Sequence, residues 1–167
     1  HGITREPEDF INEPDGPWYY EQQMLGFNYR MTDIQAALGL SQMARLEEFL
    51  AKRRAIATQY QAELPGPELE VLANRTNRLS AWHLFVIKVP ADKRKDIYCY
   101  LRDHGLGVNV HYIAIDTQPY HKKNGVPDNK LAKIFSLCII TLPIYPDLQL
   151  TQHSRCINLI NGILSRK

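Results

Sequence analysis

Cysteine is scarce in this chain. Cys99, Cys138 and Cys156 are the only three in 167 residues, and no CxxC pair occurs. That excludes a disulfide framework and a thiolate zinc site, and it points to a reducing, cytoplasmic setting. No run approaches the roughly 20 apolar residues that cross a bilayer, and no basic segment leads into an apolar one at the start, so neither a membrane span nor a secretory leader is expected. Charge of one sign is lacking too: 20 Lys and Arg against 18 Asp and Glu leave a net +2. A balance so close to neutral carries no footprint for nucleic acid or an anionic membrane. His1, His83, His104, His111, His121 and His153 lie far apart with no HxH or HxxxH pair, so no metal site is expected. A G-x-S-x-G elbow is missing, and "GLGVNV" at 105–110 lacks the third glycine of a dinucleotide fingerprint. Its glycines read as a helix end turning into a strand.

What is present is ordinary globular material, 44% apolar and 23% charged, in a length that suits one domain or part of something larger. The chain opens His1-Gly2-Ile3 without a Met, in residues that read as mid-loop, so preceding residues are expected to have belonged to it. Residues 1–17 read as irregular, ending in a turn at Asp15-Gly16-Pro17. Aromatic runs at 18–20 and 24–29 predict a hairpin. Thr32-Asp33-Ile34-Gln35 fits a capping box, and Ile34, Leu38, Leu46, Leu50, Ile56, Tyr60 and Leu64 recur at mostly helical intervals up to Pro65-Gly66-Pro67. Unbroken, that helix would be on the order of 50 Å long, a spine or a subunit contact. Beyond it the pattern predicts a strand at His83–Val89, a helix at Asp92–Asp103, a strand at Val108–Tyr112 and a helix at Lys130–Leu137. A strand at Ile139–Leu142 and a helix at Thr151–Leu164 with Thr151 as N-cap complete an α/β layered unit.

Asn28 and Arg30, just ahead of the long helix, are a good pair for an anion such as phosphate, one an amide donor and the other a charged fork. Equally, Arg30 could pair with a local carboxylate and Asn28 cap a turn. Trp18, Tyr19, Tyr20 and Tyr29 serve either packing or a ligand platform. His111-Tyr112, at a strand end, either meets a ligand or is buried and hydrogen-bonded.

The segments "HGITREPEDF", "DGPWYYEQQMLGFNYRMTDIQAALGLSQMARLEEF", "RRAIATQY", "SAWHLFVIKV", "GVNVHYI", "QPY" and "TLPIYPDL" together resemble the C-terminal half of the DegT/DnrJ/StrS family of pyridoxal-phosphate-dependent sugar aminotransferases. The resemblance runs from His1 to about Ile160. It is strongest to the pseudaminic acid pathway branch, which aminates a UDP-linked 4-keto-6-deoxy sugar at C4. It implies the C-terminal part of a fold-type I transferase: residues 1–31 an interface loop and hairpin, 32–64 a connecting helix, 65–167 a small α/β domain. It further implies a homodimer, a UDP-sugar substrate, a glutamate-like amino donor and a cytoplasmic location, with neither nucleic acid nor membrane as partner.

By the same resemblance, the hairpin delivers Asn28, with Arg30 close behind, to the pyridoxal 5'-phosphate of the neighbouring subunit. Tyr29, His83, His111 and Tyr112 match positions near the sugar. The Lys that forms the Schiff base lies upstream of the HGI segment in the family, so no catalytic residue is expected here. Lys52, Lys88 and Lys122 stand in no such context. Without that amine the chain lacks both the covalent anchor and the proton carrier, and by itself it is expected to bind no cofactor and to be inactive. Relatives read "HYIPVHLQPYY" where this chain has "HYIAIDTQPYH"; Ala114 replaces a proline and Asp116 a histidine, setting an anion near an anionic substrate. Three readings follow: one half of an enzyme whose N-terminal part is a separate chain or was cut away, a non-catalytic remnant, or a dimerisation module.

Overall fold

The computed structural model describes residues 2–13, 19–24, 26–27, 29–64, 66–72, 74, 77–118, 121 and 124–165. The chain divides into two compact units, His1–Ala44 and Arg45–Lys167.

In the first unit, β1 (Ile3–Thr4) pairs antiparallel with β2 (Glu21–Gln22), Ile3 opposite Gln22 and Thr4 opposite Glu21. Gly2 anchors the pairing. Its φ is +71°, its carbonyl accepts the Gln23 N–H at 2.8 Å, and a Cβ there would lie 2.1 Å from the Met24 carbonyl oxygen. Glycine alone meets both conditions. Among the described residues, the strand found where a hairpin over 18–20 and 24–29 is expected is Glu21-Gln22, and it pairs with residues near the start of the chain. Polar Glu21 takes a strand position because its carboxylate accepts the N–H groups of Ile11 (2.9 Å) and Asn12 (2.7 Å) and the Tyr19 hydroxyl (2.9 Å). These bonds, that of Ile11 foremost, hold its carboxyl down to about 2 against the opposing effect of burial. Trp18, Leu25, Asn28 and the turn at 15–17 lie outside the described residues. The capping box at Thr32 is present: Gln35 N–H donates to Thr32 Oγ1 (3.3 Å), Thr32 N–H donates to Gln35 Oε1 (2.9 Å), and α1 (Asp33–Met43) follows.

The run expected as one helix over 32–64 is two. A turn at Ala44-Arg45 separates α1 from α2 (Leu46–Glu63), which ends ahead of the prolines at 65 and 67. No Pro or Gly stands at the turn, and nothing in the local sequence explains it.

The second unit holds an antiparallel sheet in the order β3 (Glu70–Val71), β4 (Phe85–Lys88), β5 (Ile139–Leu142), with α3 (Arg94–Asp103), α4 (Lys130–Cys138) and α5 (Leu150–Leu164). Alternation along β4 sends Phe85 and Ile87 inward, opposite Leu142 and Ile140 of β5. These four meet Tyr60 of α2, Leu64 just after it, Ile97 and Leu101 of α3, and Ile157 and Ile160 of α5 in one core. Each such side chain contributes about 1.5–3 kcal/mol by leaving water. Gly105, at φ +77°, closes α3 as expected, its N–H donating to the Arg102 carbonyl at 2.9 Å.

Two expectations are corrected here. Residues 108–112 form no strand; Asn109 alone bridges to Thr141, and its side-chain oxygen takes the Val110 N–H at 2.8 Å, drawing the backbone off the ladder. Helix α5 is capped by Gln149, whose extended backbone precedes the helix and whose N–H donates to Gln152 Oε1 at 3.3 Å, so Thr151 lies inside the helix. The two-residue β3 was not foreseen, being too short to show a period.

Candidate functional site

Each unit presents one group of the expected residues. In the first, Ile3, Arg5, Tyr20 and Arg30 line an open cleft of about 530 Å³. The β1–β2 pairing makes this possible by setting residues 3–4 beside 21–22. The Arg5 guanidinium lies 5.9 Å from the centre of the Tyr20 ring, within cation–π reach. Two guanidinium groups beside one cleft suit a phosphate or carboxylate. Arg5 escaped the sequence reading because nothing local links it to Arg30; the strand pairing does. Tyr29 is 93% exposed and stacks on Phe27, ring centres 5.7 Å apart, rather than lining the cleft. Asn28 lies outside the described residues.

In the second unit, His111 and Tyr112 come together with their rings edge to face at 4.8 Å. His111 Nδ1 is 3.0 Å from Thr141 Oγ1, and Nε2 is 3.3 Å from the Asn109 side-chain nitrogen. The Asn109 amide is a donor, so Nε2 accepts, the proton sits on Nδ1, and Nδ1 donates to Thr141. Thr141 is buried and held in register by Val86 on one side and Asn109 on the other, so it fixes the imidazole. Its hydroxyl was invisible as a site residue because it lies within an apolar strand.

His83 is exposed just ahead of β4. The loop carrying it is clamped by Arg53 of α2, whose Nη1 donates to the carbonyls of Trp82 (3.1 Å), His83 (3.4 Å) and Ile144 (2.9 Å). Trp82 sits at φ +49°, a left-handed conformation that costs a bulky residue about 1–2 kcal/mol, and the clamp offsets that cost. No hydrogen bond or ring contact joins His83 to His111 among the described residues.

Tyr112 lines a second cleft, of about 500 Å³, with Ile113, Ile115, Asp116, Val126 and Phe135. Asp116, expected to stand as an anion beside a bound ligand, is instead buried. It accepts the Asn129 N–H at 2.7 Å and lies 3.7 Å from Lys133 Nζ. The Asn129 bond first, with Lys133 helping and burial opposing, holds its carboxyl below the usual range.

The cofactor implied by the resemblance fits these residues at one end. Arg5 and Arg30 would receive its phosphate. Of the lysines weighed for its aldehyde end, Lys52 pairs with Glu48 at 2.6 Å and Lys88 with Glu70 at 2.8 Å, both on the surface. Lys122 lies outside the described residues.

The model of the DegT/DnrJ/EryC1/StrS aminotransferase family matches residues 12–161. Among curated proteins the chain is 33% identical to the spore coat polysaccharide biosynthesis protein SpsC of Bacillus subtilis (strain 168), over 89% of this chain and 40% of that one. Among solved structures it is similar to the apo form of the putative sugar aminotransferase Spr1654 of Streptococcus pneumoniae (TM-score 0.79, 28% identity, 100% of this chain and 43% of that one). It is also similar to Helicobacter pylori PseC, an aminotransferase involved in the biosynthesis of pseudoaminic acid (TM-score 0.78, 25% identity, 97% and 43%). The chain thus spans about two-fifths of the length of the relatives it matches.

Proposed function

The chain belongs to the DegT/DnrJ/EryC1/StrS aminotransferase family, and from that premise we propose that it forms the C-terminal part of a pyridoxal-phosphate-dependent aminotransferase acting on a UDP-linked keto-deoxy sugar. The route served is cell-surface polysaccharide or pseudaminic acid synthesis. The observation that carries this reading is the cleft lined by Arg5 and Arg30, two cations beside one opening on a chain of this family. When bound, the cofactor supplies the electron sink for moving an amino group. This chain's part is to bind and orient. Arg5 and Arg30, with Asn28 two residues before Arg30 in sequence, receive the phosphate of the neighbouring subunit's cofactor. His111, with its tautomer set by Asn109 and Thr141, presents a fixed imidazole with Tyr112 toward the sugar, and His83 stands on a loop that Arg53 holds still. Lys52 and Lys88 pair with carboxylates at the surface, and with no Schiff-base residue assigned to it the chain alone does not transaminate.

Titration with pyridoxal phosphate followed by borohydride tests both parts. Because the two arginines offer the phosphate end partners that the sequence did not, weak non-covalent binding is the expected result in place of none, competed away by inorganic phosphate and lost in Arg5→Ala and Arg30→Ala. A stoichiometric covalent adduct on one lysine would overturn the claim that the Schiff-base residue lies elsewhere. Co-expression with the N-terminal part of a relative should restore amination of a UDP-4-keto-6-deoxy sugar.

A second reading, self-association, is favoured by α1, where Ile34, Leu38, Leu40 and Met43 are 84, 61, 74 and 62% exposed. Apolar side chains so open to water around a helix are a drive to associate.

A further inference from the structure

A cleft of about 310 Å³ opens in the second unit where the turn that ends α3, the loop after β5 and the first turns of α5 come together. None of the residues weighed for the cofactor or the sugar lines it. Leu106, Pro143, Leu148 and the exposed ring of Tyr145 give it apolar walls. Small-molecule sites begin at about this volume and share this character, an apolar body with a few polar groups that fix orientation.

Two exposed side chains of α5, Gln152 and Arg155, line the same cleft three residues apart, so they are neighbours on the helix surface. Each is held in place by bonds that leave donors over. Gln152 Oε1 accepts the Gln149 N–H and the Tyr145 hydroxyl, both at 3.3 Å. A backbone N–H requires an acceptor, so that end of the amide is the oxygen, and the NH₂ end has no acceptor among the described residues. Arg155 Nη2 donates to the His104 carbonyl at 2.6 Å, which ties the guanidinium to the end of α3. No carboxylate pairs with it among the described residues. A further donor is the backbone N–H of Gly107, an exposed residue on the cleft wall whose N–H is unbonded among the described residues. No Asp or Glu lines the cleft. Spare donors and one uncompensated positive charge beside apolar walls match a ligand with one negative charge at the end of an apolar body. A dianionic phosphate would bring more charge than one guanidinium balances, and a cation would be repelled by it.

We propose that this cleft binds a small aromatic monocarboxylate, its ring against Tyr145 and Leu148 and its carboxylate accepting N–H groups of Arg155 and Gln152. Charge-assisted bonds select a carboxylate over an amide of the same shape. Contact between rings at Tyr145 selects an aromatic body over a bare carboxylate. This site goes beyond the proposed function and does not rest on it, since Arg5 and Arg30 belong to the other unit and His83, His111 and Tyr112 do not line this cleft.

The experiment is a ¹H–¹⁵N NMR titration of the whole chain with sodium phenylacetate, with phenylacetamide and sodium acetate as controls. Saturable shifts are expected at the Gly107 amide and the Gln152 side-chain NH₂, with phenylacetamide binding more weakly and acetate producing no saturable shift. Arg155→Gln keeps a donor for the His104 carbonyl and should weaken binding about tenfold or more. Gln152→Glu keeps an acceptor for the Gln149 N–H, at a helix start where a carboxylate is well placed, and should abolish phenylacetate binding by setting a like charge in the cleft. Unchanged signals from β4 and β5 would show that each variant is folded. If one of the two does not fold, the other decides. No saturable shift at Gly107 and Gln152, equal binding by phenylacetamide or acetate, or undiminished binding by either folded variant would overturn the proposal. Any of these outcomes leaves phosphate binding by Arg5 and Arg30 as it was.

Discussion

Arg53 spends one guanidinium nitrogen on three carbonyl oxygens from two loops, those of Trp82, His83 and Ile144. Truncating it would strand acceptors that are partly buried. Arg53→Ala should lower stability by about 1–3 kcal/mol, read from the urea midpoint, and broaden the NMR signals of residues 80–84. Arg53→Lys should recover part of this, since one ammonium can also donate to these carbonyls but its flexible stem holds it less firmly than a planar guanidinium. His153 makes a different kind of prediction. It is buried in α5 with its ring 4.2 Å from that of Tyr60, and its Nε2 has no hydrogen-bond partner among the described residues. Burial first, against weaker pulls from Glu63 and the Ile56 backbone, lowers its affinity for a proton below the ordinary 6.5. The unfolded chain accepts a proton near 6.5 that the folded chain resists. Stability is therefore full above that pH and declines as pH falls below it. Wild-type urea midpoints should drop between about pH 7 and about pH 5, and His153→Phe should flatten the profile. A parallel drop in both proteins would assign the effect to other groups.

At the scale of elements, the capping box of α1 is the clearest case of local chemistry deciding structure. Thr32→Ala removes the acceptor for the Gln35 N–H and should cost about 1 kcal/mol, seen as faster hydrogen exchange across the first turn of α1. That box was legible from four residues, as was the alternation of β4 and the apolar run of β5. Elements failed to be legible where a competing contact lay far off in sequence. The 108–112 segment has the β-branched residues of a strand, yet the Asn109 side chain takes the next backbone N–H and only one bridge to Thr141 survives. The aromatic runs at 18–29 favour extended structure, but the partner of Glu21-Gln22 comes from residues 3–4 because the Glu21 carboxylate gathers Ile11 and Asn12. The division of the 32–64 helix has no counterpart in propensity at all. Arg30, His111 and Tyr112 could be picked out from residue type and position, whereas Arg5, Arg53 and Thr141 acquire their roles only through pairing and packing.

For the whole molecule, the exposed residues of α1 predict behaviour in solution. Ile34 and Leu38 are one helical turn apart and so share a face. Sedimentation should show association that grows with concentration, and the double variant Ile34→Glu, Leu38→Glu should move the population toward monomer. A parent chain that stays monomeric at high concentration would remove the second reading of function. Gly2 offers a separate handle. In a saturation library scored by the activity of a complete enzyme, position 2 should be depleted of every residue except glycine, because a side chain there collides with the Met24 backbone. Gly39 and Gly66, where a Cβ meets nothing within 4 Å, should tolerate replacement. The depth of depletion at position 2 relative to these two would measure how much fitness depends on one backbone-to-backbone approach, at a residue with no functional group of its own.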